Sequence, residues 1–303
     1  MSELIRVTFW GVRGSYPAPG IKTAQVGGNT SCIQVEVGKH LIILDAGTGI
    51  IGLGNQLARQ YQVDKQPISA TILFSHTHHD HTQGFPFFAP THFQTTTLYI
   101  FGPRTLEQDL HDVLSRAMLP PVFPITLDQL PCVRVVRNLC EGEWLLLNSD
   151  GNEPRVLSEE RDVMPGAEDA IHIHALRSYA HPQGVYVYRI EYAGKSIVYA
   201  TDTEGYVNGD QRLIRFVRDA SLLIHDSQYT ESEYINPIST KQGWGHSTWQ
   251  MAVGVAQAAN VGKLVLFHHD PEHTDEMCDR LEKETQETFP KAMLAREGMQ
   301  INL

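Results

Sequence analysis

His76-Thr77-His78-His79-Asp80-His81 follows directly on an apolar run at residues 68–74, and this junction decides how the chain is read. Four imidazoles and a carboxylate within six residues have no ordinary explanation in packing. A strand that stops at Ser75 presents the next loop at a sheet edge, where alternate side chains converge. His76 and His78 are spaced to hold one metal ion, while Asp80 and His81 can turn toward a second. Imidazole nitrogen mixed with carboxylate oxygen suits Zn²⁺ or Mn²⁺ rather than Ca²⁺ or an iron–sulfur cluster. The segment reads as a metal site.

Around it lies a chain of 303 residues with no Ser/Gly-rich linker, charge block, repeat or low-complexity tract. A single domain over residues 1–303 is therefore expected. With 42% hydrophobic residues the chain can bury a large core. No apolar run approaches the roughly 18–20 residues of a membrane span, so no membrane partner is expected. Residues 1–6 lack the apolar core of a secretory signal. Cys32, Cys132, Cys140 and Cys278 show no Cys-X-X-Cys spacing and fit buried thiols in a reducing compartment. These features point to a soluble, cytoplasmic enzyme. Lys and Arg total 24 against 35 for Asp and Glu, a formal charge of −11. Long nucleic acids bind largely through phosphate neutralisation, and no basic tail or Lys/Arg-rich stretch serves that purpose here. The balance argues against a long nucleic acid and for a small anionic substrate.

Strand-like patches lie at residues 4–10, 33–37 and 41–44, with Gly38-Lys39 as a tight turn. Residues 50–61 carry apolar positions at helical spacing, and 68–74 form the strand that delivers the metal loop. A second round runs through strands at 185–192 and 196–200 around Ala193-Gly194-Lys195. It continues with a strand at 222–225, a helix at 248–260, a strand at 263–267 and a helix at 276–287. Residues 106–118 read as a helix stopped by Pro120-Pro121. Residues 124–150 alternate weakly, and 148–165 have the composition of a loop. Strands interleaved with helices indicate an α/β chain with helices packed on sheets.

The hexad is also the signature of the metallo-β-lactamase-fold hydrolases, which this chain resembles in further segments in the same order. These are Leu44-Asp45-Ala46-Gly47-Thr48-Gly49, the lone His181, Ala200-Thr201-Asp202-Thr203 and Leu266-Phe267-His268. Phe9-Trp10-Gly11-Val12-Arg13-Gly14-Ser15 and Gly27-Gly28-Asn29-Thr30-Ser31 look like the ribonuclease Z and cyclic-phosphodiesterase branch. The resemblance implies an αββα sandwich, two β-sheets flanked by helices, with a binuclear metal centre at one edge. It also implies a homodimer.

By position in that pattern, His181 joins His76 and His78 at the first ion. Asp80 and His81 hold the second, completed by a histidine at the end of the last strand. His268 and His269 are adjacent there; neighbours on an extended segment point apart, so one ligates, and the pattern favours His268. Asp202 is the natural bridge between the ions, with Glu204 as a rival lying past the strand end. Asp45 resembles the aspartate that supports the metal loop, or is a turn residue. His79 fits neither ion. The ions are two divalent cations, Zn²⁺ first, with Mn²⁺ or Fe²⁺ acceptable to the same ligands.

Gly243-Trp244-Gly245-His246-Ser247-Thr248 resembles the ribonuclease Z element whose histidine protonates the leaving group, and His225-Asp226-Ser227 matches its acidic partner. The expected catalytic residues are His246 as general acid, Asp226 orienting it, and Asp80 beside the metals. His172 and His174 alternate with isoleucine as on a solvated strand face. His40, His92, His111 and His273 read as surface residues. Tyr229, Tyr234 and Trp244 lie close enough in sequence to the acid to stack on a base or sugar, although such aromatics more often pack.

The expected activity is a metal-dependent phosphodiesterase for a small, cyclic phosphodiester, using a hydroxide activated between the ions. The alternatives are a ribonuclease Z-like RNA nuclease and a lactonase or thioesterase of the same fold. The ribonuclease Z family carries a Gly/Pro-rich basic arm that grips transfer RNA downstream of the third histidine. The stretch from His181 to Asp202 is too short to hold one.

Overall fold

A computed structural model of the protein describes residues 5–104, 108–148, 153–158, 161–162, 170–206 and 209–303. Two mixed sheets pack face to face between helices. The first takes β1 (Ile5–Gly11), β2 (Cys32–Val37), β3 (His40–Leu44), β4 (Ser69–Leu73), β5 (Thr97–Pro103) and β6 (Val133–Leu139) in that order. The second is built from β7 (Glu143–Leu147), β8 (Arg155–Ser158), β9 (Ile171–Ser178), β10 (Val185–Tyr192), β11 (Lys195–Ala200), β12 (Leu222–Asp226), β13 (Leu264–Phe267) and β14 (Ala292–Leu294). Its spatial order is β14-β13-β12-β11-β10-β9-β7-β8. The final strand, β15 (Gln300–Asn302), crosses back to the first sheet and pairs antiparallel with β1.

Three apolar layers hold the sandwich together. Between the sheets, Val7, Phe9, Val35 and Leu44 meet Tyr186, Tyr188, Ile224 and Phe267, all fully buried. Outside the first sheet, α1 (Gly49–Asp64) places Ile50 and Leu53 against Ile43, Ile72 and Phe85. After α2 (His79–Thr82), which belongs to the metal loop, α3 (Leu110–Ala117) adds Leu110 and Leu114 to that layer. Over the second sheet lie α4 (Gln211–Phe216) and, after the single turn α5 (Glu231–Tyr234), α6 (Trp249–Ala258). The last helix, α7 (Asp275–Thr288), packs beside β14 and sends Cys278 into the core between the sheets. This is the expected αββα sandwich. No described helix is long and apolar enough to cross a membrane.

Strand and helix bounds agree with the sequence patterns within a few residues, with informative exceptions. The weakly alternating stretch at 124–150 holds two strands, β6 and β7. The pattern is faint because β6 is a sheet edge that exposes Val133 and Val135. Within the loop-like 148–165, residues 155–158 form β8, while 149–152, 159–160 and 163–165 lie outside the described residues. The helix expected from 106 begins at Leu110, after its Asp109 cap accepts from Asp112 N; residues 105–107 lie outside the description. His40 and His273 are buried rather than on the surface, one bonded to Asn148 O and the other to the Glu233 carboxylate. His172 and His174 are half-buried and stack on Trp144. Cys32, Cys132 and Cys278 are buried free thiols, whereas Cys140 is exposed.

Candidate metal centre

The site forms at the carboxyl ends of the parallel strands. Here β3, β4, β11, β12 and β13 deliver Asp45, the hexad, Asp202, Asp226 and His268 to one edge of the sandwich. Asp45, Asp202 and His268 follow their strands in the left-handed region, with φ of 60°, 50° and 64°. Non-glycine residues hold that conformation only where their surroundings impose it. The single turn of α2 then carries Asp80 and His81 inward, leaving His79 exposed. All seven residues expected as ligands converge here.

The hydrogen bonds around each imidazole fix which nitrogen is bare. Ser75 Oγ donates to Asp45 Oδ2 at 2.7 Å and lies 3.1 Å from His76 Nδ1, so His76 donates from Nδ1 to the hydroxyl oxygen. Its Nε2, buried, has no hydrogen-bond partner among the described residues. His181 donates from Nδ1 to Gly245 O at 3.1 Å, and His78 from Nε2 to Gln183 Oε1 at 2.9 Å. The remaining lone pairs, His181 Nε2 and His78 Nδ1, lie 2.9 Å apart.

A second knot repeats the arrangement. His81 donates from Nδ1 to Asp45 Oδ2 at 2.7 Å, and His268 from Nδ1 to Gln228 Oε1 at 3.0 Å. Their bare Nε2 atoms face each other at 3.2 Å, with Asp80 Oδ2 at 3.2 Å from each. Asp202 stands between the knots. Its Oδ1 lies 3.2 Å from His81 Nε2, and its Oδ2 lies 3.6 Å from His76 Nε2. Lone pairs crowded together repel unless a positive charge, a metal ion or a proton, joins them. Both groups, His76/His78/His181 and Asp80/His81/His268, bring their ligand atoms within 4.8 Å of one another. Nitrogen with carboxylate oxygen is the donor set of Zn²⁺-type sites, so the residues fit divalent metal.

Electrostatics divide the two knots. Burial dominates at the first, driving the pKa of His76 well down and that of His181 to about 4. At the second, burial works the same way but is outweighed by carboxylates. Asp202, Asp226 and Asp80 push His268 up to about 10, and Asp80, Asp202 and Asp45 hold His81 well above its ordinary value.

Beside this cluster, Asp226 Oδ2 accepts from His246 Nδ1 at 2.8 Å, and Asp226 Oδ1 accepts from Ser247 N at 2.8 Å. Burial alone would raise the Asp226 carboxyl, but the neighbouring His246 and His268 keep it well below the usual range. The His246 ring stacks on His268 with centroids 5.1 Å apart, and Nε2 remains without a protein partner among the described residues.

Several neighbours alter the sequence picture. Asp45 serves Ser75, His81 and the Tyr199 hydroxyl at once, so it supports the metal loop rather than only closing a turn. Glu204 stays outside the cluster, accepting from Gly243 N, Gly245 N and the Tyr234 hydroxyl. His269 turns away to Ala295 O, and burial lowers its pKa to about 3. Gln183 and Gln228, which fix two of the imidazoles, carry no signal in the sequence. Ser15 N donates to Asp80 Oδ2 at 2.8 Å, which gives the opening motif its place in the site. Gly14 lies so close to the His268 ring that a Cβ there would collide with it.

Comparison with known proteins places these residues in context. The pattern of the beta-lactamase superfamily domain matches residues 40–269. The ribonuclease Z of Thermoplasma acidophilum is 29% identical over 318 residues, covering 95% of this chain and 94% of that protein. Among solved structures, the metallo-beta-lactamase fold protein YhfI from Bacillus subtilis superposes with a TM-score of 0.63 at 18% identity, over 100% of both chains. The short form of human tRNase Z gives 0.61 at 21% identity, over 98% of both. The expectation against a long nucleic acid does not stand, because a relative aligned along nearly the whole chain is named a ribonuclease. Net charge sums the entire surface, whereas phosphate recognition depends on the local field at the site.

Proposed function

Because this chain belongs to the beta-lactamase superfamily and is a hydrolase of that fold, we propose that it is a metal-dependent phosphodiesterase that cleaves RNA in the manner of ribonuclease Z. The carrying observation is Asp202, whose two carboxylate oxygens face two separate knots of bare imidazole nitrogens. His76, His78 and His181 would hold one ion, Asp80, His81 and His268 another, with Asp202 shared. Zn²⁺ is the first candidate, and Mn²⁺ or Fe²⁺ suit the same donors. Bound ions supply Lewis-acid polarisation of the phosphodiester and ionise water near neutral pH.

The chain's own residues do the rest. Asp45 and Ser75 fix the orientation of His76 and His81. Asp226 holds His246 by Nδ1, which aims Nε2 outward to deliver a proton to the departing ribose oxygen. Lactone and thioester hydrolysis have no use for this pair.

The test is cleavage by metal-loaded protein of a transfer-RNA precursor, a cyclic nucleotide, bis(p-nitrophenyl) phosphate, a lactone and a thioester. Endonucleolytic cutting of the precursor, chelator-sensitive and faster than turnover of the lactone or thioester, is expected. Preference for the cyclic nucleotide would favour a small diester, a reading supported by the β10–β11 hairpin that occupies the chain between His181 and Asp202. Preference for the lactone or thioester would overturn phosphodiester chemistry altogether.

A further inference from the structure

The rim beside His246 carries a feature that packing does not explain. Trp244 sits between Gly243 and Gly245, both left-handed with φ of 81° and 91°. Glu204 accepts from the amides of those two glycines at 2.7 and 2.9 Å, and Gly245 O accepts from His181. This rigid turn nevertheless leaves the indole 53% exposed. The ammonium of Lys241 lies 4.0 Å from the indole centroid and 5.7 Å from the ring of Tyr229, which meets His246 edge-on. Among the described residues no carboxylate pairs with Lys241.

A second pair stands two residues before His181. Tyr179 is 66% exposed, and the guanidinium carbon of Arg177 lies 5.4 Å from its centroid. Arg177 Nε is buried and has no hydrogen-bond partner among the described residues. It lines a cavity of about 180 Å³ together with Gln183, His76 and His78. Each pair thus joins an exposed aromatic face to a cation, beside a residue of the metal centre.

An aromatic face next to a positive charge matches a nucleotide, whose base offers a π-surface and whose linkage offers a phosphate. We propose that Trp244 with Lys241 and Tyr179 with Arg177 form a stacking rim that grips single-stranded nucleotides flanking the scissile phosphate. The proposal rests on the RNA-cleaving reading and deepens it. It also reconciles RNA binding with a formal charge of −11, because the cations stand where the strand would pass.

The experiment uses metal-loaded protein and an RNA with a single-stranded 3′ extension, together with a matched set carrying one abasic ribose at each position near the cut. Losing a stacked base should raise KM for the wild type by roughly 5- to 150-fold at one or two positions. Trp244→Ala should raise KM on intact RNA by a similar factor and abolish the further penalty of the abasic site. Trp244→Phe should retain most of the effect. Lys241→Ala should reduce the slope of log KM against log salt by about 0.7, one phosphate contact on a single strand. Should the wild type hydrolyse bis(p-nitrophenyl) phosphate but leave RNA intact, the functional reading and this proposal fail together. Should it cut RNA while Trp244→Ala and Tyr179→Ala keep the wild-type dependence on bases, only the rim fails.

Discussion

Asp45 Oδ2 accepts a hydrogen bond from His81 Nδ1 at 2.7 Å, so a residue at the end of β3 decides which nitrogen of a residue in α2 is left to face the metal knot. Partners of this kind typically contribute 10–100-fold in metal affinity. Asp45→Asn should weaken metal retention by about that factor while the fold persists, as read by competition with a chelator. Unchanged retention would mean that the tautomer of His81 is set by something else.

Metal binding should release protons. Without metal, the surrounding carboxylates push the pKa of His268 up to about 10 and raise that of His81, so the knot favours a proton where a cation would bind. A cation replaces that charge, so protons should appear in solution on loading. The share released from His268 should shrink as pH rises through its pKa of about 10, where the metal-free imidazole becomes neutral. Calorimetric titration in buffers of different ionisation enthalpy measures this directly, and a buffer-independent heat at pH 7 would contradict it.

The role of His246 can be separated from metal binding by choice of leaving group. A ribose alkoxide needs a proton, whereas a nitrophenolate leaves without help. His246→Ala should cost about 10²–10⁴-fold on RNA and far less on bis(p-nitrophenyl) phosphate, with metal content unchanged. Asp226→Asn should do more than weaken the acid. Asp226 also lies 3.4 Å from His268 Nδ1 and accepts from Asp202 N at 3.1 Å, so metal retention should fall as well. Equal losses of His246→Ala on both substrates would assign His246 a structural role.

Gly245 offers a test of the turn itself. Its φ of 91° costs any L side chain about 1–3 kcal/mol, and a Cβ there would run into the His181 ring. Gly245→Ala should lower stability in denaturant titration and displace His181, with loss of metal from the first knot. A variant with full metal content and unchanged stability would show that the turn relaxes freely.

Much of this fold and site is legible in the sequence. Period-two apolar strands, the hexad and the order of Asp45, His181, Asp202 and His268 carry local or positional signals that survive without tertiary information. What escaped detection depends on contacts distant in sequence. Gln183 and Gln228 are single amides that reach the site only because the fold sets them against His78 and His268. His40 and His273 read as surface residues because their partners, Asn148 O and Glu233, are remote in sequence. The net charge argued too strongly against nucleic acid because a whole-chain sum hides local charge, such as Lys241 near Trp244 and Arg177 near Tyr179.

The return of β15 to β1 has a consequence for biosynthesis. Gly298 N donates to Phe9 O, Phe9 N to Met299 O, and Leu303 N to Ile5 O, so the outer edge of β1 is covered by the segment at 298–303. Without that segment β1 offers a bare row of amides and carbonyls to any neighbouring chain. Messages truncated before codon 300 should therefore yield polypeptides that coaggregate, even though every residue of the metal centre has already been translated.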